Sequence, residues 1–253
     1  MPNMTEDVTY HTEKNIAYIT FNRPQKKNAL TTEMYAAWAH YLSQAEQSVE
    51  ISVVVLQGAG KHFTSGNDLN EFLNNPPTDT SSPVFQVMTA LATAQKIMIA
   101  KVQGVAIGIG MTMLLHCDLV FADEDATLQM PFVPLGLCPE AGASLLLPAL
   151  VGQQRAKELL LFGHGISAKD AYRLGIINTV YPSADFAQQS QQQITQISQH
   201  PKHALLVTKK LLRHHIPQEK VLQAIGQESA DFLTCLKHPE TQQRIQAFFT
   251  GKH

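Results

Sequence analysis

One short run constrains this chain more than any other. Residues 51–57, Ile-Ser-Val-Val-Val-Leu-Gln, are apolar on both alternations and end at Gly58-Ala59-Gly60. A strand apolar on both faces must be covered on both, which is the habit of parallel strands in α/β proteins. Residues 98–103 form a similar strand that runs into Gly104. Residues 16–21 are a further strand, rich in β-branched and aromatic side chains, and residues 118–122 form another. Helical patterns lie between them. Thr31 or Thr32 can cap a helix reaching about Ser48, with Met34, Trp38 and Tyr41 or Leu42 on one face. Further helices are expected at about 84–97 and 109–116, and Ser167 with Asp170 reads as a capping box closed by Leu174-Gly175. Strand and helix alternate to about residue 180, which argues for an α/β fold. The last 70 residues read as helices, with Pro201, Pro217 and Pro239 at the breaks.

Composition removes several function classes. With 253 residues the chain can bury a large core. A net charge of −2 provides no basic field for nucleic acid or an acidic membrane. The uncharged run between Lys101 and Asp118 contains three glycines and is shorter than the roughly 20 residues a spanning helix needs. No secretory signal is visible, and three scattered cysteines (Cys117, Cys138, Cys235) point to a reducing cytoplasm. Only 16% of residues are charged, a thin layer that hints at surface buried against other subunits.

Several motifs fail. Gly104 to Gly110 is not a dinucleotide fingerprint, because Met113 stands at the third glycine position. Gly58 to His62 imitates a Walker A loop but has Val55 and His62 at two required positions. His116-Cys117-Asp118 has no second ligand cluster for a metal. Cys138 reads as a structural thiol. Two segments remain, Gly58 to Leu69 and Gln103 to Gly110. Each places glycines and small residues just after a strand, where backbone N–H groups can face a ligand closely. Two such N–H groups make an oxyanion hole; two ordinary tight turns are the plain alternative.

These segments resemble the crotonase, or enoyl-CoA hydratase/isomerase, superfamily. The likeness extends to Asn22-Arg23-Pro24 with Asn28-Ala29-Leu30, and to Cys117-Asp118 through Asp123. Later it includes Pro134-Leu-Gly136, Leu150-Val-Gly152 and the Ala168, Ala171, Gly175 run, so it covers nearly the whole chain. The resemblance implies a spiral of repeated ββα units over residues 1–199 and a helical trimerisation region over 200–253. It implies an acyl-CoA thioester substrate, no cofactor beyond the coenzyme A that the substrate carries, no metal, and a homotrimer or dimer of trimers. By position, the N–H groups of Asn67 and Ile109 form the oxyanion hole. Lys27, Ala29, Ser65, Gly66, Asn67, Asp68 and Leu69 line the coenzyme A, with Asp68 read as a helix-start residue. Gly108 and Phe132 are further substrate- or coenzyme A-binding residues. Phe248 is the C-terminal aromatic set against coenzyme A, while Lys252 is one position from the usual lysine. The Pro-rich loop at 74–83 is expected to close over the acyl chain.

The resemblance also bears on the reaction. Family hydratases set two glutamates around a water, and here those positions hold Thr112 and Phe132. The Pro131-Phe132 to Pro139-Glu140 pattern is similar to peroxisomal-type Δ3,Δ2-enoyl-CoA isomerases, in which this glutamate is the acid–base. Glu140 precedes Ala-Gly-Ala-Ser-Leu-Leu-Leu, so it is expected in the first turn of a helix, with a pKa raised by a dry pocket of Phe132, Leu135 and Leu137. Other crotonase chemistry (hydration, thioester hydrolysis, decarboxylation) and a non-catalytic acyl-CoA-binding module are the alternatives.

Overall fold

The computed structural model describes residues 5–79 and 81–250, with side chains through 247. β1 (Val8–Glu13) and β2 (Ile16–Phe21) form an antiparallel pair. β1 is the edge strand that the sequence reading left out. Its alternation is weak because only Val8 is buried. α1 (Thr32–Gln47) starts at Thr31, whose side chain accepts from the Met34 amide. Its buried face carries Met34, Tyr35, Trp38 and Leu42, so Leu42 rather than Tyr41 completes the stripe.

β3 (Val53–Gly58) is followed by α2 (Leu69–Asn74) and α3 (Pro83–Thr93). β4 (Ile97–Val102) then leads into β5 (Val105–Ile107) and the short α4 (Ile109–Thr112), with a 3-10 turn at Met113–His116. β6 (Leu119–Asp123) and β7 (Thr127–Gln129) precede α5 (Ala143–Val151) and α6 (Gln153–Phe162). β8 (Ile166–Ser167), α7 (Ala168–Arg173) and β9 (Thr179–Tyr181) complete the core. Ser167 caps α7, as its capping box predicts, and Gly175 beyond it has a φ of 78°.

The main sheet has the order β1-β2-β3-β4-β6-β9, parallel from β2 onward, and β5-β7-β8 make a smaller second sheet. The unit repeats. β3, the Thr64 bridge to Ala106 and α2 make one ββα turn; β4, β5 and α4 make the next. The apolar alternation of β3 is used on both faces. Val54 and Leu56 join the large core under α1 and α3, while Val53 and Val55 pack toward α8 (Phe186–Ser198). α9 (Lys202–Leu212), α10 (Gln218–Leu236) and α11 (Pro239–Thr250) follow, each starting at or just after one of the three expected prolines. α10 folds back against α3 and α5 of its own chain. Among the described residues no helix is long and apolar enough to cross a membrane.

Candidate active site

The first turn is built around Asn28. This residue and Lys27 both adopt left-handed backbone conformations, with φ of 55° and 51°. The buried Asn28 amide group donates to the carbonyls of Ala59, His62 and Phe63, and its Oδ1 accepts from the Arg23 amide. The Ser65 amide donates to the Lys27 carbonyl at 2.9 Å. Residues 23–30 are therefore bound to the loop after β3. Leu30 then pairs with Asn67 as a one-residue parallel bridge: Leu30 N–H donates to Gly66 O, and Asp68 N–H donates to Leu30 O. Strand alternation turns the Asn67 N–H the other way, and it donates to no acceptor among the described residues.

The second turn is Gly108. Its φ and ψ of 58° and −122° lie where only glycine sits without strain. Its carbonyl accepts from the amides of Met111 and Thr112. Ile109, first residue of α4, is left with an N–H that has no acceptor among the described residues, as the first turn of any helix leaves it. The two turns touch. A Cβ on Gly66 (φ 85°) would lie 2.6 Å from the Ile107 carbonyl oxygen, so only glycine permits this approach. Two free N–H groups on adjoining turns are the donors an anionic oxygen needs.

Asp68 fastens the arrangement. Its Oδ1 accepts from the Asn70 and Glu71 amides at the start of α2, and its Oδ2 pairs with Arg23 at 2.7 Å. Burial raises its pKa, but Arg23 and the two amides outweigh that and hold the carboxyl below its ordinary range. Tyr35 on α1 donates its hydroxyl to Asn67 Oδ1. Burial, then the charges of Glu140 and Glu71, push that phenol well above its ordinary pKa. Tyr35, Asp68, Leu30 and Phe72 line a cavity of about 150 Å³ bordered by residues 75–78 and 82–84; Glu140 is not part of its wall.

Glu140 is 1% exposed. Its Oε1 accepts from the hydroxyl of Thr112, which lies one helical turn beyond Ile109 on α4. Its Oε2 is buried with no partner among the described residues. Burial and the nearby Glu228 raise its pKa to about 8 against the opposing Thr112 hydrogen bond. The direction is the one expected from its sequence surroundings, where Phe132 and Leu137 are buried and the Leu137 amide donates to the Phe132 carbonyl.

The helical setting expected for Glu140 is corrected. α5 begins only at Ala143, because Ala141 (φ 59°) and Gly142 (φ 76°) are both left-handed and break the helix before it. The carboxylate at the α5 N-terminus is instead Glu228 of α10, which accepts from the amides of Gly142 at 2.5 Å and Ser144 at 2.8 Å. His116 is a second contributor that the sequence did not single out for this role. Its Nε2 lies 2.6 Å from the Ala141 carbonyl, and burial pushes its pKa down to about 4, so the ring is neutral and donates. Cys138 is a thiol rather than a thiolate, since burial pushes it up to about 12.

The fold thus brings Lys27, Ala29 and Ser65 to Leu69 together with Gly108 and Ile109, and sets Glu140 against α4. The side chain of Phe248 and all of Lys252 lie outside the described residues.

This architecture, a spiral of ββα turns that brings two N–H-bearing turns together near the buried Glu140 carboxyl, defines the crotonase class. Residues 11–252 match the family described as Enoyl-CoA hydratase/isomerase, and the chain belongs to that family. It is 30% identical to the peroxisomal enoyl-CoA delta isomerase 3 of Mus musculus, over 98% of this chain and 80% of that protein. It is 32% identical to the 2,3-dehydroadipyl-CoA hydratase of Escherichia coli K12, over 93% of this chain and 92% of the relative. The solved structure of Pseudomonas aeruginosa OdaA superposes with a TM-score of 0.92 at 37% identity, covering 96% of this chain and 99% of that one. Both an isomerase and a hydratase thus stand at similar distance from this chain.

Proposed function

We propose that the chain is a Δ3,Δ2-enoyl-CoA isomerase that converts a 3-enoyl-CoA thioester to the 2-trans isomer. The observation that carries this reading is Glu140, a buried carboxyl with one oxygen held by Thr112 and the other unpartnered. Ionised Glu140 takes a proton from C2, and the C2–H electron pair moves through C1 onto the thioester oxygen as a dienolate. The N–H groups of Asn67 and Ile109 hold that oxygen, each donor being worth about 2.7–4 kcal/mol in the transition state. Protonated Glu140 then returns the proton to C4, the electron pair re-forms the carbonyl, and the double bond lies between C2 and C3. One carboxyl serves both steps, and its pKa near the working pH suits a group that both accepts and gives a proton. Hydration by the family's two-carboxylate route is disfavoured because Thr112 and Phe132 stand at those positions.

The test offers trans-3-hexenoyl-CoA and crotonyl-CoA separately to wild type and Glu140→Ala. The reading expects isomerisation of the first, lost in the variant by about 10³-fold or more, with little hydration of the second. Hydration that survives Glu140→Ala refutes it. Inactivity on both substrates, with the thioesters still bound, points to other chemistry or to a binding module.

A further inference from the structure

We propose that Glu228 is a positioning residue for the proton-transfer step: from α10 it fixes the Glu140–Gly142 turn and places a second negative charge beside Glu140. The proposal rests on the acid–base reading of Glu140 above.

The turn needs such a hold. Two consecutive left-handed residues, Ala141 and Gly142, follow Glu140, and a non-glycine residue in that region is costly unless its surroundings over-determine it. Three groups do so from three elements. Thr112 on α4 binds the Glu140 carboxyl, His116 binds the Ala141 carbonyl, and Glu228 binds the amides of Gly142 and Ser144. Only Glu228 is 86 positions away from the turn in sequence, and only Glu228 brings charge.

The two carboxyls are unequal. Burial raises the pKa of Glu228, which is 6% exposed, while the Gly142 and Ser144 amides at the helix N-terminus oppose that rise and favour its ionised form. Glu140 has a single hydroxyl and one bare oxygen. When two carboxyls share a region, the better-solvated one keeps the charge and the other keeps the proton. Asp231 of α10 acts on the Cys138 thiol, and Lys209 and Arg213 act on His116; three other groups around the pair are neutral at working pH. Tyr35 from α1 is a phenol held well above its ordinary pKa, His116 is an uncharged ring, and the Cys138 thiol, which donates to the Glu228 carbonyl, is pushed up to about 12. Glu71 of α2 faces Tyr35 rather than Glu140. Among the described residues no cation acts on Glu140, and the Thr112 hydrogen bond opposes the Glu228 charge.

The experiment compares wild type, Glu228→Gln and Glu228→Asp, with Glu140→Gln as the reference. Two quantities are followed against pH: kcat/KM for a 3-enoyl-CoA, and the protonated-carboxyl infrared band that disappears in Glu140→Gln. In Glu228→Gln both the acidic limb and the band should move down by about one pH unit, because the neighbouring charge is gone. kcat at high pH should fall about tenfold or more while KM stays within about twofold, since Gln can accept only one of the two amides. Glu228→Asp keeps the charge but not the reach, so its limb should stay within about half a unit while kcat still falls. A limb and band that stay in place in Glu228→Gln, whatever happens to kcat, overturn the proposal. Should Glu228→Gln not fold, full kcat in Glu228→Asp overturns it. A band that moves in Glu228→Gln while Glu140→Gln keeps its turnover supports the coupling of the two carboxyls but refutes the acid–base reading, and with it the positioning role.

Discussion

Replacing Glu140 by Gln should make the protein's stability less sensitive to alkali. In the unfolded chain this carboxyl ionises near its ordinary 4.5; in the fold, burial and Glu228 raise it to about 8. Between those values the folded state holds a proton that the unfolded state has released. The contribution is therefore complete at low pH and is lost as pH rises through the window. At about 1.4 kcal/mol per pH unit, the full window amounts to about 5 kcal/mol. His116 runs the opposite way. Its pKa falls from 6.5 to about 4, so its burial costs stability at low pH and that cost disappears as pH rises through 4 to 6.5. The two slopes offset one another below pH 6.5. Above it the His116 contribution has ended, and the Glu140 slope is worth about 2 kcal/mol between pH 6.5 and 8. Urea denaturation at those two pH values, followed by the fluorescence of the single and fully buried Trp38, reads the effect. Wild type should lose about 2 kcal/mol more than Glu140→Gln across the interval. Titrating groups that do not interact with Glu140 are common to both proteins and cancel in the difference. Parallel losses in the two proteins would refute the argument that Glu140 carries a proton in the folded state.

Two further outcomes follow from the same geometry. Thr112→Val removes the hydroxyl that favours ionised Glu140, so the acidic limb of kcat/KM should move up in pH, opposite to Glu228→Gln; an unmoved limb would show that this hydrogen bond does not reach the reacting carboxyl. Gly66→Ala forces a Cβ to within 2.6 Å of the Ile107 carbonyl at a φ of 85°, so the two turns must separate. A loss of about 10²–10³-fold in kcat is expected, together with about 1–3 kcal/mol of stability by thermal unfolding; near-normal turnover would mean that the turns need not touch.

What was legible in the sequence was local. Glycine at 66 and 108 encodes backbone that other residues resist, so the two turns and their free N–H groups could be placed from spacing and family likeness. Thr31 and Ser167 cap helices by hydrogen bonds that span only three residues, and the sequence shows both partners. Asp68 likewise caps α2 within its own turn. The β1 edge was missed because an exposed strand needs no apolar alternation. The setting of Glu140 was misplaced by three residues because a helix-like composition after Pro139 does not reveal that Ala141 is left-handed.

The amino-acid sequence by itself therefore determined the α/β class and the two glycine turns, and it singled out the acid at position 140. Only the tertiary structure decided what that acid is. Its proton affinity comes from burial and from Glu228 on α10, and its orientation from Thr112 and from His116 through Ala141. Tyr35 meets Asn67 from another helix in the same way. Hydrogen bonds and Coulomb interactions depend on distance in space, and these partners lie 25 to 86 positions apart in the chain. No local pattern records such meetings; the folding of α10 back over α5 creates the one that charges this site.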